Sequence, residues 1–192
     1  MNILILTYQG DIAGSTNSIS YLARGLSEKG HNVYVGCRRE SLLYSLLKDT
    51  KVNLIEMTFK SKLDYKNMKR INEFVKKYNI DIINAQSSKD RYTSIFSKIL
   101  YRFDSKIVHT RRQTPKSSGF FLQNWLYNKF TDMFVAVSDE VKEELIKGGI
   151  AKDKIRVIYN GTPNYKYENI DTSQKEVLKK KYGIKENEFV IE

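Results

Sequence analysis

The sequence predicts an α/β fold built on a doubly wound parallel sheet, and two observations carry that prediction. Six apolar runs recur along the chain with almost no polar alternation, which is typical of strands buried on both faces of a parallel sheet. Stretches of helical period separate those runs. Repeated strand–helix–strand units with right-handed crossovers assemble into one sheet with helices on both faces.

The predicted strands are continuous apolar segments, beginning with the NILILT run at the N-terminus. They cover residues 2–7, 33–37, 52–57, 80–85, 106–110 and 133–137. The predicted helices follow them, at residues 15–29, 41–48, 64–78, 90–103, 120–130 and 138–147. Gly30, Asn79 and Gly148 come after three of these helices, as C-terminal caps commonly do, and Ser138 is an N-cap followed by two acidic residues.

The sequence pattern of the chain changes near residue 162. The segment TPNYKYENIDTSQ lacks apolar periodicity and indicates a linker. A short basic helix over 175–182 and an apolar strand over 188–192 follow it. We therefore expect a first domain at residues 1–162, and at residues 163–192 a linker with the first elements of a truncated second domain.

The net charge of +11, from 33 basic and 22 acidic residues, favours an anionic partner. Nucleic acid, a phosphorylated substrate and an acidic membrane surface all fit, and so does a surface that is merely rich in lysine. The single cysteine, Cys37, excludes a disulfide framework, and the Cys and His residues lack metal-ligand spacing, so no metal is predicted. The first residues form a strand rather than a basic leader, and no apolar run approaches the roughly 20 residues of a membrane span, which favours a cytoplasmic location.

The first ligand-loop candidate is TYQGDIAGSTNSI, which follows the first strand. Gly10 and Gly14 allow a tight turn, and Ser15 and Thr16 open the next helix. Free N–H groups at a helix N-terminus attract a phosphate or a sugar hydroxyl, so Gly14, Ser15 and Thr16 are predicted to bind substrate. The alternative is an ordinary glycine turn with a Ser/Thr cap.

This loop is not the G-x-G-x-x-G fingerprint of dinucleotide-binding proteins, because its glycines are four residues apart. An NADP-type reductase fragment remains an alternative, since Arg38 and Arg39 end the second strand and suit a 2′-phosphate. Such a reductase also needs a tyrosine and a lysine four residues apart, and Tyr44 and Lys48 are a pair with this spacing.

The fourth and fifth strands end in NAQSSKD and VHTRRQTP, and both tips should converge on one crevice. Arg111 and Arg112 are suited to hold a diphosphate through charge-assisted bonds. His109 is a candidate proton carrier, or else a strand-end histidine bonded to the backbone. We expect Gly14, Ser15, Gln86 and Arg112 to face one another across the strand tips.

The predicted helix at residues 64–78 is amphipathic and strongly basic. Its apolar stripe comprises Tyr65, Met68, Ile71, Val75 and Tyr78, and its basic face comprises Lys66, Lys69, Arg70, Lys76 and Lys77. Such a face can lie on anionic lipid, although a solvated helix face is the commoner explanation. The segment from Lys116 to Trp125, with Phe120 and Phe121, is a second candidate for membrane contact and otherwise core.

The order and spacing of several motifs resemble the N-terminal domain of a family 4 glycosyltransferase with the GT-B fold. These motifs are the glycine loop, LARGLSEKGHNVYV, DIINAQS and VAVSDEVKEELIKGGIAKDKIRVIYNGT, and the last of them, at residues 136–161, is the most specific. The resemblance covers residues 1 to about 165. Its Rossmann-like fold handles the acceptor in this family, while a second domain of the same kind carries the nucleotide pocket.

The resemblance implies retaining glycosyl transfer from a nucleotide sugar, without a required metal or other cofactor, in the synthesis of a bacterial surface polysaccharide or lipid-linked glycan. It implies substrate contacts at Ser138, Asn160 and Gly161, and a glycan or lipid-linked acceptor. It also implies that residues 188–192 begin the donor domain, that this chain alone is inactive, and that nucleic acid is not a partner. A non-catalytic basic module that binds nucleic acid or a nucleotide is the alternative, although no stacking platform or reading helix stands out.

Two positions depart from the family pattern. Gln86 stands at the fourth-strand tip, where the family often has histidines, and Arg112 stands where it often has a catalytic-site histidine. Histidine catalysis is therefore not carried over to this chain. Arg112 is instead expected to stabilise the departing phosphate electrostatically.

Overall fold

A computed structural model describes residues 1–11, 14–113, 121–164, 168, 173–185, 188 and 190. The chain divides into two compact units, residues 1–161 and residues 162–192. The first unit contains all the strands of the described chain and is the unit that carries the predicted site.

The first unit confirms the predicted α/β fold with a doubly wound parallel sheet. Seven strands pair in parallel in the order β3-β2-β1-β4-β5-β6-β7. Their bounds are Asn2–Leu6 (β1), Asn32–Cys37 (β2), Asn53–Glu56 (β3), Ile82–Ala85 (β4), Lys106–Arg111 (β5), Met133–Ala136 (β6) and Ile155–Val157 (β7). Strand β7 was not among the predicted strands, because its three residues are too few to form a recognisable apolar run.

Helices connect the strands in sequence. They are Gly14–Glu28 (α1), Leu42–Leu47 (α2), Tyr65–Tyr78 (α3), Ser88–Tyr101 (α4), Phe121–Phe130 (α5) and Asp139–Lys147 (α6), with a 3₁₀ turn at Lys152–Lys154 before β7. Each helix bound lies within a few residues of the prediction. Asn79 ends α3 in the left-handed conformation at φ 46°, which an asparagine tolerates better than most residues.

Strand β1 shows why the apolar runs predicted a buried sheet. Ile3 and Ile5 pack on one face with residues of α1 and α2, whereas Leu4 and Leu6 pack on the other face with residues of α3. Successive side chains of a strand point to opposite faces, so a strand that is covered on both sides needs apolar residues throughout. A third cluster, centred on Phe134 and Ile107, packs β5 and β6 against α4, α5 and α6.

The second unit contains one described helix, Ser173–Tyr182 (α7), which agrees with the predicted basic helix. None of its residues is buried, and Val177 and Leu178 are exposed. Most of the strand predicted at 188–192 lies outside the described residues. The assignment of this unit to a donor-binding domain stays a prediction.

Candidate functional site

A polar crevice lies at the carboxyl ends of β1, β4 and β5. Strand β1 pairs with β2 on one side and with β4 on the other, so the order of the strands reverses here. Ligands of doubly wound sheets bind at such a switch point. The crevice encloses about 250 Å³, and Ser15, Gln86 and Arg112 all line it. These three residues were predicted to face one another, and the topology brings them together.

The loop after β1 approaches the start of α2 closely. A Cβ at Gly10 would lie 3.0 Å from the Cβ of Ser41, a contact so tight that Ser41 would have to move by a few tenths of an ångström, so glycine suits this approach. A side chain at Gly14 would meet nothing within 4 Å, and Gly14 is the first residue of α1 rather than part of the crevice lining.

Ser15 and Thr16 are neighbours in α1 but have different surroundings. Ser15 lines the crevice, while the Thr16 side chain is buried and donates its hydroxyl proton to the carbonyl oxygen of Asp11. Thr16 therefore fastens the loop to the helix. The structure does not bring its hydroxyl to the crevice, in contrast to the expectation for this residue.

Asp90, in the first turn of α4, ties two strand tips together. Its Oδ2 accepts the backbone N–H groups of Gln86 and Ser87, each at 2.8 Å, and its Oδ1 accepts that of Tyr8 at 3.2 Å. Asp90 is fully buried, and this burial raises its pKa to about 7 against the hydrogen bonds that lower it. One carboxyl group thus holds the tips of β1 and β4 in register beside the crevice.

Side-chain hydrogen bonds continue this network between the strands. The hydroxyls of Thr7 and Ser87 lie 3.0 Å apart, and Thr7 Oγ1 accepts the backbone N–H of Gln9 at 3.1 Å. On β5, Thr110 donates to Oδ1 of Asn84 on β4 at 3.0 Å. The strand tips around the crevice are therefore held by several buried or partly buried side-chain hydrogen bonds and not by packing alone.

Three arginines, Arg91, Arg111 and Arg112, line the crevice. Arg112 donates from Nη1 to Oε1 of Gln86, which fixes its guanidinium at the strand tips. Burial lowers the pKa of Arg112 to about 10, and burial with repulsion from Arg91 lowers that of Arg111 to about 10. Both side chains therefore remain charged at neutral pH. Within the described part of the chain, no carboxylate forms an ion pair with any of the three.

His109 does not face the crevice, which corrects the prediction of a catalytic histidine. Its ring is fully buried and makes edge contacts with Tyr127 and Phe134, at centroid distances of 5.5 and 5.3 Å. Nδ1 lies 3.3 Å from the hydroxyl of Thr131. Burial lowers the pKa of His109 well below its ordinary value, and Arg91 and Arg111 lower it further, so the ring is neutral. A neutral ring enclosed in the core has no route to a substrate.

The remaining predicted substrate residues lie apart from the crevice. Asn160 and Gly161 line a neighbouring depression of about 360 Å³, which shares Arg112 with the crevice. Ser138 is the N-cap of α6, and its hydroxyl accepts the N–H of Val141 at 3.2 Å. Ser138 lines neither cavity, so its structural task is the helix cap. Binding of substrate by Asn160 and Gly161 stays a prediction.

The reductase alternative finds no support in the geometry. Arg38 already pairs with Asp11 through two bonds of 2.6 and 2.7 Å, so its guanidinium is engaged. Tyr44 packs against the apolar cluster beneath α2, and the exposed Lys48 is the C-cap of that helix. Neither residue lines the crevice.

The basic helix α3 keeps its charged face in solvent and most of its apolar stripe buried, although Tyr65 of that stripe is 64% exposed. Lys66, Lys69, Lys76 and Lys77 are exposed, and Arg70 is half-buried. Met68, Ile71 and Val75, however, are buried and unavailable to lipid. Residues 116–120 of the Lys116–Trp125 segment lie outside the described residues, whereas Trp125 is exposed beneath the ammonium group of Lys129 at 4.8 Å. No helix in the described chain is long and apolar enough to cross a membrane.

Asp90 and Arg91 are the site residues that the sequence analysis missed. The signal for Asp90 was present, because Ser87 and Asp90 have the spacing of a capping box at the start of α4. A capping pattern predicts only a helix start, and it does not show that the carboxylate also reaches the tip of β1. Arg91 has no local signal, since it is one of many basic residues on helices.

A family model described as Glycosyltransferase Family 4 matches residues 12–163. The structure of HepE from Anabaena in complex with UDP-glucose is 19% identical with a TM-score of 0.78, and the match covers 97% of this chain and 51% of HepE. A glycosyltransferase from Rickettsia africae is 26% identical with a TM-score of 0.77, and the match covers 97% of this chain and 50% of the Rickettsia protein. The lipopolysaccharide outer core galactosyltransferase WaaB is 16% identical with a TM-score of 0.64, and the match covers 84% of this chain and 46% of WaaB. No curated protein matches this chain.

Proposed function

Because this chain belongs to glycosyltransferase family 4, we propose that it is the acceptor-side half of a retaining glycosyltransferase that uses a nucleotide sugar. The chain spans about half the length of the solved structures that it resembles. The observation that carries the proposal is the crevice at the switch point of the sheet, where hydroxyl, amide and guanidinium groups converge. Sugar hydroxyls and phosphates are the ligands that such groups bind.

Arg112 has the central role in the proposed chemistry. Glycosyl transfer from a nucleotide sugar leaves a growing negative charge on the departing diphosphate. A guanidinium that is already held by Gln86 and partly removed from water stabilises this charge without reorganising during the reaction. Ser15 lies in the same crevice and is proposed to orient a hydroxyl of the acceptor.

The donor is proposed to bind mainly through a second, nucleotide-binding half. HepE is described in complex with UDP-glucose, which makes this nucleotide sugar the first donor to test. The proposed setting is the synthesis of a surface polysaccharide or a lipid-linked glycan, at the cytoplasmic face of a membrane. No metal ion or other cofactor is proposed to take part.

A chimaera tests the proposed transfer. It joins residues 1–161, a compact unit, to the C-terminal half of HepE, and release of UDP from UDP-glucose is measured with water as the acceptor. We expect measurable hydrolysis by the chimaera and none by the 192-residue chain alone, because catalysis requires both substrates in register across a cleft.

Two results would contradict the proposal. Turnover of UDP-glucose by the chain alone would show that no second half is needed. A folded chimaera that binds UDP-glucose but never cleaves it, beside an active intact HepE, would show that this half does not support the transfer.

Membrane association is proposed to be electrostatic, through the basic face of α3. Met68, Ile71 and Val75 of this helix are buried and only Tyr65 of its apolar stripe is exposed, so charge supplies most of the attraction to anionic lipid. We expect the chain to pellet with vesicles of anionic lipid and to be released by salt, because mobile ions screen the attraction. Replacing Lys66, Lys69, Lys76 and Lys77 by glutamine should abolish pelleting. Equal pelleting with neutral vesicles, or no pelleting at all, would leave α3 as a solvated helix.

A further inference from the structure

We propose that the acceptor of this transferase carries a phosphoryl group, and that Arg91 and Arg111 hold this group beside the reacting centre with the side-chain amide of Gln86. This inference rests on the proposed function and names the class of its acceptor. Arg112 is left to the departing diphosphate. The three groups come from three different segments, namely α4, the end of β5 and the tip of β4, and all of them line the same crevice.

The charge of the crevice is the first support. Arg91 and Arg111 lie close enough for Arg91 to lower the pKa of Arg111, and neither has a carboxylate partner within the described residues. Asp90 is near, but its oxygens are engaged by three backbone N–H groups. Two neighbouring cations without a counter-ion repel each other in a partly dry site, and a bound anion removes that repulsion. A phosphate monoester at neutral pH carries up to two negative charges, which matches this pair.

The unpaired polar atoms are the second support. Nε of Arg91 and Nε2 of Gln86 are both buried and have no hydrogen-bond partner in the described part of the chain. Gln86 is only 7% exposed, and its carbonyl oxygen is already used by Arg112, so it offers a donor and not an acceptor. These two buried, unpaired groups are therefore both donors. The complementary ligand is a group with several acceptor oxygens and no proton of its own to place, which describes a phosphate better than a neutral sugar.

The size of the crevice is the third support, and it indicates that the phosphoryl group belongs to the acceptor and not to the donor. At about 250 Å³ it is smaller than the roughly 300–1,000 Å³ of pockets that enclose drug-sized ligands. A sugar phosphate suits this volume, whereas a whole nucleotide sugar would extend beyond the crevice. The phosphoryl group is therefore proposed to be that of the acceptor, such as the phosphate that links a glycan to a lipid.

The test is calorimetric titration of the 192-residue chain with glucose 1-phosphate and with glucose. We expect glucose 1-phosphate to bind and glucose to bind at least about 10-fold more weakly, since hydrogen bonds to charged groups are the stronger ones. Arg91→Gln and Arg111→Gln should each weaken glucose 1-phosphate about 10-fold or more. Glutamine keeps much of the side-chain volume, and circular dichroism verifies that each variant is folded. Arg156→Gln, an exposed arginine on β7 that lies outside the crevice, is the matched control and should bind normally.

Four outcomes would overturn the inference. Equal binding of glucose and glucose 1-phosphate would remove the phosphoryl group from the argument. If Arg156→Gln weakened glucose 1-phosphate binding as much as the crevice variants do, the effect would come from net charge and not from the crevice. If UDP bound more than about 10-fold more tightly than pyrophosphate, the nucleoside would be contributing to the affinity. The arginines would then be assigned to the donor. If glucose 1-phosphate fails to bind while the HepE chimaera still cleaves UDP-glucose, the inference fails and the proposed function stands.

Discussion

Replacing Asp90 by alanine is expected to lower the free energy of unfolding by roughly 3–5 kcal/mol at pH 5. The change leaves the backbone N–H groups of Tyr8, Gln86 and Ser87 without their acceptor. Each buried donor that loses its partner costs roughly 1–3 kcal/mol, and water admitted to the space of the lost side chain recovers part of this. Urea denaturation of the wild-type chain and of Asp90→Ala measures the difference.

The matched control is Ser138→Ala. Ser138 also caps a helix, but it accepts one N–H group at a half-buried position. Loss of such a cap costs about 1 kcal/mol. If Asp90→Ala costs no more than Ser138→Ala, then Asp90 is only a helix cap and does not tie β1 to β4.

The dependence of this effect on pH gives a second readout. Burial raises the pKa of Asp90 to about 7 in the folded chain, above the roughly 3.9 of an unfolded aspartate. Between these values the folded state holds a proton that the unfolded state has lost, so stability falls as the pH rises toward 7. Asp90→Ala lacks this slope, and its cost should therefore be larger at pH 5 than at pH 8. A cost that grows with pH would mean that the hydrogen bonds outweigh burial and lower the pKa.

Much of the fold is predictable from the sequence because burial on both faces of the sheet leaves continuous apolar runs. Strand β1 is such a run, and its Ile and Leu side chains fill two different clusters. Strand β7 has no comparable run, since Arg156 is exposed between its two apolar neighbours. Local pattern therefore identifies the longer strands, including the edge strand β3, but not the three-residue edge strand β7.

The location of the site follows from topology, whereas its detailed composition does not. Ser15, Gln86 and Arg112 each follow a strand end, so a parallel sheet brings them to one crevice. The role of His109 was predicted wrongly because both faces of β5 are buried. Polar and apolar residues therefore do not alternate along this strand, and the sequence does not show to which face the ring points. Its ring points into the aromatic cluster with Tyr127 and Phe134, and this cluster forms from helices and strands that are distant in the sequence.

Replacing Arg112 by alanine is expected to reduce the rate of UDP-glucose cleavage by the HepE chimaera about 100- to 1,000-fold. This is the usual cost of removing one preorganised group that stabilises developing charge. Arg112 lies where the crevice meets the neighbouring depression, and Gln86 holds its guanidinium in place. The loss should fall on kcat rather than on KM, because the charge that Arg112 meets grows only as the bond to the diphosphate breaks.

Conservative variants and a distant control separate this role from a structural one. Arg112→Lys keeps the charge but loses the planar fork that binds Gln86 and phosphate together, so it should recover only part of the rate. Arg156→Ala, outside the crevice, should leave kcat unchanged. An Arg112→Ala chimaera that is folded and retains kcat within about threefold would contradict the role of Arg112, because a threefold change is well below the cost of losing such a group.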